Sequence, residues 1–435
     1  MPQLKPISSI VLHSACKGAS AQALWTLYEC GMSDAPGGAP VKIALLTETF
    51  LPSTDGVVTR LCATIDHLID QGHQIAIVAP QGSPAFYKGM PVLPVKGLHY
   101  FFYPQQQFCP PSPRIKAFLD AFGPDAIHVV NPVVLGLGGI YYARKANLPL
   151  IASFHTNLAA YAHRYRVPFL DPVAWNYLRL LHNQATVNLA TSAAMVNELR
   201  FRRFHNVRIW AGGVDTKHFH PQHRSESMRS RLTMGDPKQS LLLYVGRLAP
   251  EKELHRIRTL LDAFPSLTIG FVGDGPDRSR LERLFAHPRA HFAGFLHGEE
   301  LSAAYASADG FIFPSTTETL GLVLLEAMAS GLPIIAAESK PSRELVAQTG
   351  GGLLFNPADD KSLHQTVRML LEQPDLRAQL ARQARFTAEN RNWSDPTQKL
   401  INYYELAIRA HRLHHKATDK DFVRKRDSLH VSDRV

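Results

Sequence analysis

The chain has 435 residues, of which 45% are hydrophobic, 9% aromatic and 19% charged, and its formal net charge is +10. This composition is typical of a globular protein, and it argues against a disordered or collagen-like chain. No window approaches the roughly 18 uncharged apolar residues of a membrane-spanning helix, which excludes an integral membrane protein of the helical type.

Residues 1–40 precede the first strong pattern and form a segment of their own. The apolar stretch in this segment is interrupted by polar and basic residues, which is untypical of a secretory signal peptide. The codons of Gly37 and Gly38 can spell a ribosome-binding sequence, and Val41, a few nucleotides later, can be encoded by the start codon GTG. Two interpretations stay open: an over-extended gene start, or a translated extension that docks loosely.

From residue 41 onward, short apolar runs alternate with amphipathic segments of about 15 residues, a rhythm that predicts buried parallel strands joined by crossover helices. The first set of runs is followed, after Pro221, by a second set of the same kind. The predicted strands are 41–46, 74–79, 126–130, 148–153, 187–191, 240–245, 267–272, 310–313 and 332–337. The predicted fold class is therefore α/β, with two doubly wound Rossmann-like domains.

The same rhythm predicts the domain boundaries. An N-terminal domain spans residues 41–221 and a C-terminal domain spans residues 222–391, and the polar stretch 221–240 is the best linker candidate. Residues 374–410 show a helical pattern, so a C-terminal helix is expected over 392–410. Residues 411–435 are rich in charge and histidine, and we expect a mobile tail there.

The loop after the first predicted strand ends in Gly56, at the position where an amphipathic helix begins. Backbone N–H groups and the positive end of the helix dipole favour an anion at such a position. A glycine at a strand-to-helix turn also has a purely conformational explanation. Gly56 therefore indicates a ligand site only in combination with other motifs.

A second turn, after the predicted strand 310–313, carries two glutamates eight residues apart, Glu318 and Glu326. Glu326 lies in an apolar helical stretch, where an unpaired carboxylate would be unfavourable. Gly321 and Leu322 would present N–H groups at the start of this helix, where a diphosphate could bind. The pattern favours a ligand site over a surface helix with an ordinary cap.

Two cations, Arg247 and Lys252, follow the predicted strand 240–245. Open α/β sheets bind ligands at the carboxyl ends of their parallel strands. Guanidinium and ammonium groups suit a diphosphate. An isolated Arg–Lys pair would indicate only a solvated face, but its position beside the acidic motif favours a functional role.

These motifs together resemble those of the retaining GT-B nucleotide-sugar glycosyltransferases, and the resemblance extends over residues 41–408. Longer segments are similar to the sulfoquinovosyl-diacylglycerol synthase branch of that family. They are HVVNP at 128–132, LGLGGIYY at 135–142, SFHTN at 153–157, GVDT at 213–216 and LLYVGR at 242–247. The resemblance implies two Rossmann-like domains facing a central cleft, and retaining transfer of a sugar from a UDP donor to a lipid hydroxyl.

The resemblance also implies roles for individual side chains. Arg247 and Lys252 would bind the diphosphate, Glu326 would bind the ribose hydroxyls, and Glu318 would bind hydroxyls of the donor sugar. His155, in the SFHTN segment, matches the active-site histidine beside the transferred sugar. In a sequence without this family resemblance, a histidine after a strand is more often a structural residue.

Gly56, Gly321 and Leu322 would contribute backbone N–H groups to the same site. No Asp or Glu is assigned to attack the anomeric carbon, so we expect a front-face displacement in which the leaving phosphate accepts the proton of the acceptor. We expect no metal and no other cofactor, because the cations and the helix N-terminus take the place of a divalent ion.

Two segments depart from the family pattern. Residues 210–213 read WAGG where the branch has an aromatic residue, Gln, Arg and Gly, so an expected cation is missing. Residues 340–344 read KPSRE where related enzymes have GGIPD, beside the sugar pocket. The donor sugar therefore stays open. Lys340 and Arg343 could bind a sulfonate or carboxylate, or they could be solvated loop charges.

The expected acceptor side is the basic first half of the chain. Residues 1–225 hold 19 Lys+Arg against 11 Asp+Glu, and aromatic residues recur at 100–103, 108 and 161–175. Basic and aromatic residues favour an anionic membrane surface. The four cysteines form no CxxC pair, which fits a reducing cytosol. We expect a location on the cytoplasmic membrane face; a soluble acceptor is the alternative.

Other functions are compatible with parts of the same sequence. A related glucosyl-, mannosyl- or glucuronosyltransferase, acting on another lipid or a soluble acceptor, fits the same motifs. A pI near 9.4 alone would allow nucleic-acid binding, but no recognition motif supports it, so no nucleic-acid partner is expected. A non-catalytic nucleotide-sugar binding module is disfavoured because the cationic, acidic and histidine motifs occur together.

Overall fold

The structure is a computed structural model that describes residues 39–100, 103–110, 112–156, 171–319 and 321–432, and within these ranges it gives no side-chain placement for 98–106, 108 and 414–432. The interpretation of residues 1–40 falls almost wholly outside the described residues. Most of the aromatic positions at 100–103, 108 and 161–175 fall outside them as well. Within the described part of the chain, no helix is both long and apolar enough to cross a bilayer.

An eight-stranded sheet forms the N-terminal domain. Its strands are β1 (Lys42–Thr47), β2 (Gln74–Pro80), β3 (Phe86–Tyr87), β4 (Met90–Val95), β7 (Ala126–Val130), β8 (Leu150–Phe154), β9 (Val187–Ala190) and β10 (Val207–Ile209); β5 (Leu98–Tyr100) and β6 (Tyr103–Phe108) form a separate hairpin. The order across the large sheet is β10-β9-β8-β7-β1-β2-β4-β3. Its strands pair in parallel except β3, which is antiparallel to β4.

Both faces of this sheet are buried, which explains the continuous apolar runs. Ile43 and Leu45 face one apolar cluster, and Ala44 and Leu46 face another on the opposite side. The flanking helices are α1 (Gly56–Asp70), α2 (Pro113–Phe122), α3 (Leu135–Lys145), α4 (Asp171–His182) and α5 (Ala193–Phe201).

Helix α3 packs closely against the sheet because it is rich in glycine. A Cβ atom added at Gly139 would lie 2.6 Å from Val129 Cγ1 and 3.1 Å from Leu46 Cδ1. The LGLGG segment therefore has a packing role, and it places the start of α3 at the carboxyl edge of the sheet.

A six-stranded parallel sheet forms the C-terminal domain, in the order β13-β12-β11-β14-β15-β16. Its strands are β11 (Ser240–Val245), β12 (Leu267–Val272), β13 (Ala290–Gly294), β14 (Gly310–Phe313), β15 (Ile334–Ala337) and β16 (Gly352–Phe355). Its α-helices are α6 (Glu226–Leu232), α7 (Leu260–Ala263), α8 (Arg278–Leu284), α9 (Gly298–Ala306), α10 (Leu322–Ala329), α11 (Asp360–Glu372) and α12 (Pro374–Glu389). Shorter helical turns occupy Pro221–His223, Pro250–Lys252, Leu254–Thr259, Lys340–Ser342 and Arg343–Ala347.

The last helix, α13 (Ser394–Ser432), returns to the N-terminal domain. Its residues Leu400, Tyr404 and Ile408 belong to the same apolar cluster as Ile43. The helix continues through most of the segment that we expected to be a mobile tail. Residues 411–432 contain neither glycine nor proline, so no helix-breaking residue stops it.

The prediction of two doubly wound domains is confirmed by these sheets, and each predicted strand overlaps an observed one. The linker prediction is wrong in part, because the stretch 221–240 contains α6. Met228 and Leu232 of α6 are buried with Leu241 in the core of the C-terminal domain, so most of this stretch belongs to that domain.

Candidate active site

The site residues lie on loops at the carboxyl ends of strands from both domains. Gly56 follows β1, and His155 directly follows β8; Arg247 follows β11, and Glu318 follows β14. Two contacts join the domains here. A Cβ atom added at Gly56 would lie 3.8 Å from Leu322 Cδ1, and the Thr319 hydroxyl donates to the His155 carbonyl at 2.6 Å. The N-terminal and C-terminal motifs therefore meet in one cleft.

The two cations are each paired with a carboxylate. Lys252 Nζ donates to Glu318 Oε1, which joins two of the predicted site residues. Arg247 Nη2 donates to Glu251 Oε1, and the Glu251 side chain is fully buried. Glu251 was not singled out in the sequence. The available signal is its spacing of four residues from Arg247, which keeps the two side chains within reach of each other, one in the loop after β11 and the other in the helical turn Pro250–Lys252.

The first turn of α10 has the features of an anion site. Gly321 has φ of 72°, in the left-handed region that favours glycine. Among the described residues, no side chain caps the N-terminus of α10, so its first N–H groups remain available to a ligand. The role of Gly321 and Leu322 in binding a diphosphate stays a prediction.

The start of α1 is different, because Asp55 already caps it. The Asp55 carboxylate accepts from Val57 N at 2.9 Å and from Val58 N at 3.1 Å. The Gly56 N–H, the predicted donor at this end, is not one of the two N–H groups that Asp55 accepts. The negative charge of Asp55 also opposes an anion there, so the contribution of α1 to an anion site is smaller than that of α10.

Glu326 lies inside α10 and accepts a hydrogen bond from Tyr305 at 2.7 Å on Oε2. Among the described residues, no hydrogen-bond donor contacts Oε1. Burial raises the pKa of Glu326 to about 7, and the Tyr305 hydrogen bond opposes this shift. The carboxylate that the sequence analysis expected to need a partner thus has one partner and one remaining oxygen.

His155 is 7% exposed, and its surroundings keep the imidazole neutral. Burial lowers the pKa of His155 well below its ordinary value, and the nearby Arg60 guanidinium lowers it further. His155 Nε2 contacts Ser153 Oγ at 2.8 Å. The Asn131 amide oxygen accepts from the backbone N–H of His155 at 3.3 Å and of Thr156 at 3.1 Å, which fixes the loop.

Arg60 is the buried cation that the sequence analysis missed. Its guanidinium lies 4.0 Å from the centre of the Trp210 ring, donates to the Trp210 carbonyl and donates to the Ala211 carbonyl at 2.7 Å. Burial lowers the pKa of Arg60 to about 9. Helix α1 thus brings a cation to the 210–213 segment, where the family pattern has its own. The position of Arg60 among the apolar residues of α1, between Val58 and Leu61, is too weak a signal to identify it from the sequence.

The 340–344 segment connects the domains. Glu344 Oε1 accepts from Ala193 N at 3.0 Å and Oε2 accepts from Ala194 N at 2.8 Å, so Glu344 caps α5 across the interface. Lys340 pairs with Glu198 at 3.3 Å, and Arg343 pairs with Glu338. Both cationic side chains are more than half exposed, which favours solvated loop charges over a sulfonate site.

Two protein-family models match the chain. Residues 54–218 match the family model described as Glycosyltransferase Family 4, and residues 233–387 match the model described as Glycosyl transferases group 1. These two matches correspond to the two domains.

Similar proteins have also been characterised. The sulfoquinovosyl transferase of Arabidopsis thaliana is 36% identical over 85% of this chain and 74% of its own length. The GDP-mannose-dependent alpha-mannosyltransferase of Mycolicibacterium smegmatis is 34% identical over 85% of this chain and 98% of its own. The alpha-monoglucosyldiacylglycerol synthase of Acholeplasma laidlawii is 25% identical over 74% and 87%.

A solved structure shares the fold. Sucrose-phosphate synthase from Thermosynechococcus elongatus superposes with a TM-score of 0.71 over 85% of this chain and all of its own, at 19% identity. The fold, the paired site motifs and the relatives lead to one assignment: the chain is a glycosyltransferase of the GT-B fold and belongs to the glycolipid-type family that includes the sulfoquinovosyl transferase.

Proposed function

We propose that this enzyme transfers a sugar from a UDP-sugar, with UDP-sulfoquinovose as one candidate, to a lipid hydroxyl such as that of diacylglycerol, with retention at the anomeric carbon. The observation that carries the proposal is the 2.6 Å hydrogen bond from Thr319 to the His155 carbonyl. It sets the His155 loop against the loop that holds Glu318. A donor sugar in the cleft would lie between these two residues.

The leaving diphosphate would be stabilised by charges from the C-terminal domain. Arg247, Lys252 and the uncapped start of α10 would face the phosphate oxygens, where negative charge grows in the transition state. Glu251 and Glu318 hold the two cations in place through ion pairs. These groups supply positive charge without a metal ion, so we propose a metal-independent reaction.

The transfer would proceed on one face of the sugar. The acceptor hydroxyl forms the new bond to the anomeric carbon as the bond to the diphosphate breaks, and its proton passes to the leaving phosphate oxygen. His155, neutral because it is buried, would hydrogen-bond to the sugar. Retention follows because the acceptor arrives on the face from which the diphosphate leaves.

The name of one relative supports a second class of sugar donor as the alternative. The mycobacterial relative that is 34% identical over 98% of its length is named for GDP-mannose, so transfer of mannose from GDP-mannose is the alternative.

One experiment separates these activities. The protein is incubated with diacylglycerol vesicles and a panel of UDP-sugars and GDP-mannose, with and without a chelator, and any glycolipid is identified by mass and anomeric configuration. An α-linked glycolipid from an α-linked UDP-sugar, formed equally with chelator, supports the proposal. An inverted product, a donor other than a UDP-sugar, or loss of activity on chelation would each overturn the corresponding part.

A surface of the N-terminal domain supports a membrane-bound acceptor. We call this surface the helix face; it comprises the exposed sides of α3 and α4 and the end of α5. Of the large apolar side chains exposed among the described residues, those on the helix face are Tyr141, Val173, Tyr177, Leu180 and Phe201. One hydrogen bond links α4 to the segment just before α3, since the Tyr177 hydroxyl donates to the Val133 carbonyl.

The helix face is also basic. Its cations are Arg144, Lys145, Arg179, Arg200, Arg202 and Arg203, against the carboxylates Asp171 and Glu198. A shallow cavity of about 250 Å³ between α4 and the end of α5 is lined by Arg179, Arg202 and Arg203. Each basic residue near an anionic bilayer contributes about 1 kcal/mol. We propose that the helix face binds an anionic membrane, on its cytoplasmic side.

Vesicle sedimentation tests this part. The protein should sediment with anionic vesicles at low salt and be released as the salt concentration rises. Phe201→Ser should weaken this binding, whereas Phe386→Ser should not, although Phe386 on α12 is also well exposed, at 60% against 83% for Phe201. Equal binding to neutral vesicles, or equal effects of the two substitutions, would contradict the proposal.

A further inference from the structure

Four buried side chains form a continuous hydrogen-bonded chain from helix α13 to the cleft. The Tyr404 hydroxyl lies 2.8 Å from His128 Nδ1, and His128 Nε2 lies 2.9 Å from Ser153 Oγ. Ser153 Oγ lies 2.8 Å from His155 Nε2. Tyr404 and His128 are fully buried and Ser153 is 1% exposed. The chain links the last helix to the histidine assigned to the donor sugar.

The direction of these hydrogen bonds follows from proton counting. Among the described residues, His128 Nδ1 is the one hydrogen-bond partner of the Tyr404 hydroxyl, and a buried O–H without an acceptor is unfavourable by roughly 1–3 kcal/mol. Tyr404 therefore donates, and His128 Nδ1 accepts.

The remaining steps are forced if both rings are neutral. Burial lowers the pKa of His128 to about 3 and lowers the pKa of His155 as well, so each ring carries a single proton. His128 must hold its proton on Nε2 and donate it to Ser153 Oγ. The single Ser153 hydroxyl proton then points to His155 Nε2, which leaves the proton of His155 on Nδ1.

The Nδ1 atom of His155 faces away from this chain. It has no hydrogen-bond partner among the described residues, and it retains some exposure to solvent. Nδ1 is therefore the ring nitrogen that a ligand in the cleft can reach.

We propose that Tyr404, His128 and Ser153 are positioning residues that fix His155 as the Nδ1–H tautomer, so that His155 offers the donor sugar a hydrogen-bond donor. A sugar hydroxyl oxygen or ring oxygen would accept this hydrogen bond. The consequence for the sugar rests on the proposed transferase function, whereas the tautomer itself does not.

The test is ¹⁵N NMR of the full-length protein labelled at histidine, with signals assigned by the His155→Gln and His128→Gln substitutions. We expect a protonated Nδ1 and an unprotonated Nε2 at His155. Tyr404→Phe removes the first donor of the chain and should give His155 a mixture of tautomers. Tyr403→Phe is the matched control, since its hydroxyl donates to the Ile209 carbonyl at 3.2 Å outside the chain.

Activity gives a second readout. Tyr404→Phe should lower kcat/KM for the donor by about two- to tenfold, the range expected for one weakened hydrogen bond, and Tyr403→Phe should not. A protonated Nε2 at His155 in the wild-type protein, or one unchanged tautomer in Tyr404→Phe, would overturn the proposal. If the tautomer responds as expected but no UDP-sugar is transferred, the proposed function fails and the hydrogen-bond chain stands.

Discussion

Lys252 lies in an ion pair with Glu318, so a diphosphate that binds there shares the ammonium group with a carboxylate. Arg247 is held in the same way by the buried Glu251. Pairing of this kind fixes the position of a cation and lowers its net attraction for an anion. The two cations should therefore contribute more to charge that develops during the reaction than to tight ground-state binding.

Lys252→Ala and Arg247→Ala should each lower kcat by about a hundredfold, because removal of one preorganised donor typically has an effect of this size. Lys340→Ala is the matched control, since its ammonium group is exposed and pairs with Glu198. Steady-state kinetics with thermal unfolding of all three variants would check this. Turnover of Lys252→Ala or Arg247→Ala within about threefold of wild type would contradict the assigned roles.

Glu326 should make donor binding depend on pH. Its pKa of about 7 lies above the ordinary value for glutamate. Between these two pH values, the folded protein keeps a proton on Glu326 that the unfolded chain has released. The contribution of Glu326 to the free energy of unfolding should therefore rise as pH falls from 7 toward 5. The buried His128 and His155, whose pKa values are lowered, contribute in the opposite direction. The ionised form accepts ribose hydroxyls, so KM for the donor should fall as pH rises through about 7.

The substitution Glu326→Gln removes the titrating group while keeping the shape of the side chain. It should abolish the pH dependence of KM, which titration of KM would measure. It should also remove the contribution of Glu326 to the pH dependence of the free energy of unfolding, which chemical denaturation of both proteins at several pH values would measure. A pH dependence of KM that persists in Glu326→Gln would assign it to another group.

The residues that sequence reasoning found and missed differ in how far away their partners lie. Glu318 and Lys252 are recognisable because each sits in a local strand-to-helix motif. Arg60 is not, because its partners Trp210 and Ala211 are about 150 residues away in the sequence. Ser153 is equally hidden, since a serine at the end of a buried strand carries no sign that it bridges two histidines.

At the scale of the element, helix α3 depends on the absence of a side chain at Gly139. An added methyl group would meet Val129 at 2.6 Å and Leu46 at 3.1 Å, so Gly139→Ala should lower the free energy of unfolding by about 1–3 kcal/mol. Gly56→Ala is the control for stability, because the nearest atom would be at an ordinary 3.8 Å. Equal stability of the two variants in chemical denaturation would contradict this packing role.

The strands that the sequence predicted are the ones buried on both faces. Three strands at sheet edges were not predicted. They are the short β10 and β16, together with β13, whose residues are all partly exposed. Their apolar runs are short or mixed with polar residues, so the period that marks a buried strand is lost. The helix α6 was missed for a similar reason, since two apolar residues in a polar stretch suffice to anchor it.

At the scale of the whole molecule, the polar contacts between the two domains include the Thr319–His155 hydrogen bond and the Lys340–Glu198 ion pair. Glu344 caps α5, and the hydroxyls of Thr191 and Ser192 donate to the Thr319 carbonyl at 3.1 and 3.0 Å. Interfaces of this kind within one chain permit domain motion. The contacts lie next to the site, so opening the domains would also separate His155 from Glu318.

Glu344→Ala should shift the protein toward a more open arrangement, because it removes a helix cap that contributes about 1 kcal/mol across the interface. Small-angle X-ray scattering should show a larger radius of gyration, and donor affinity should fall. Glu338→Ala, which breaks the pair of Glu338 with Arg343 within the C-terminal domain, should change neither. An unchanged scattering profile for Glu344→Ala would show that other contacts hold the domains.

The return of helix α13 to the first domain sets the order in which the protein can assemble during synthesis. Leu400, Ile401, Tyr404 and Ala407 complete the apolar cluster around Ile43 and Ile75. These residues leave the ribosome after the C-terminal domain, whose core ends at Ala388 in the part of the chain that the structure describes. The domain translated second can therefore finish folding before the domain translated first, and until then the part of the sheet face that α13 covers stays open to solvent.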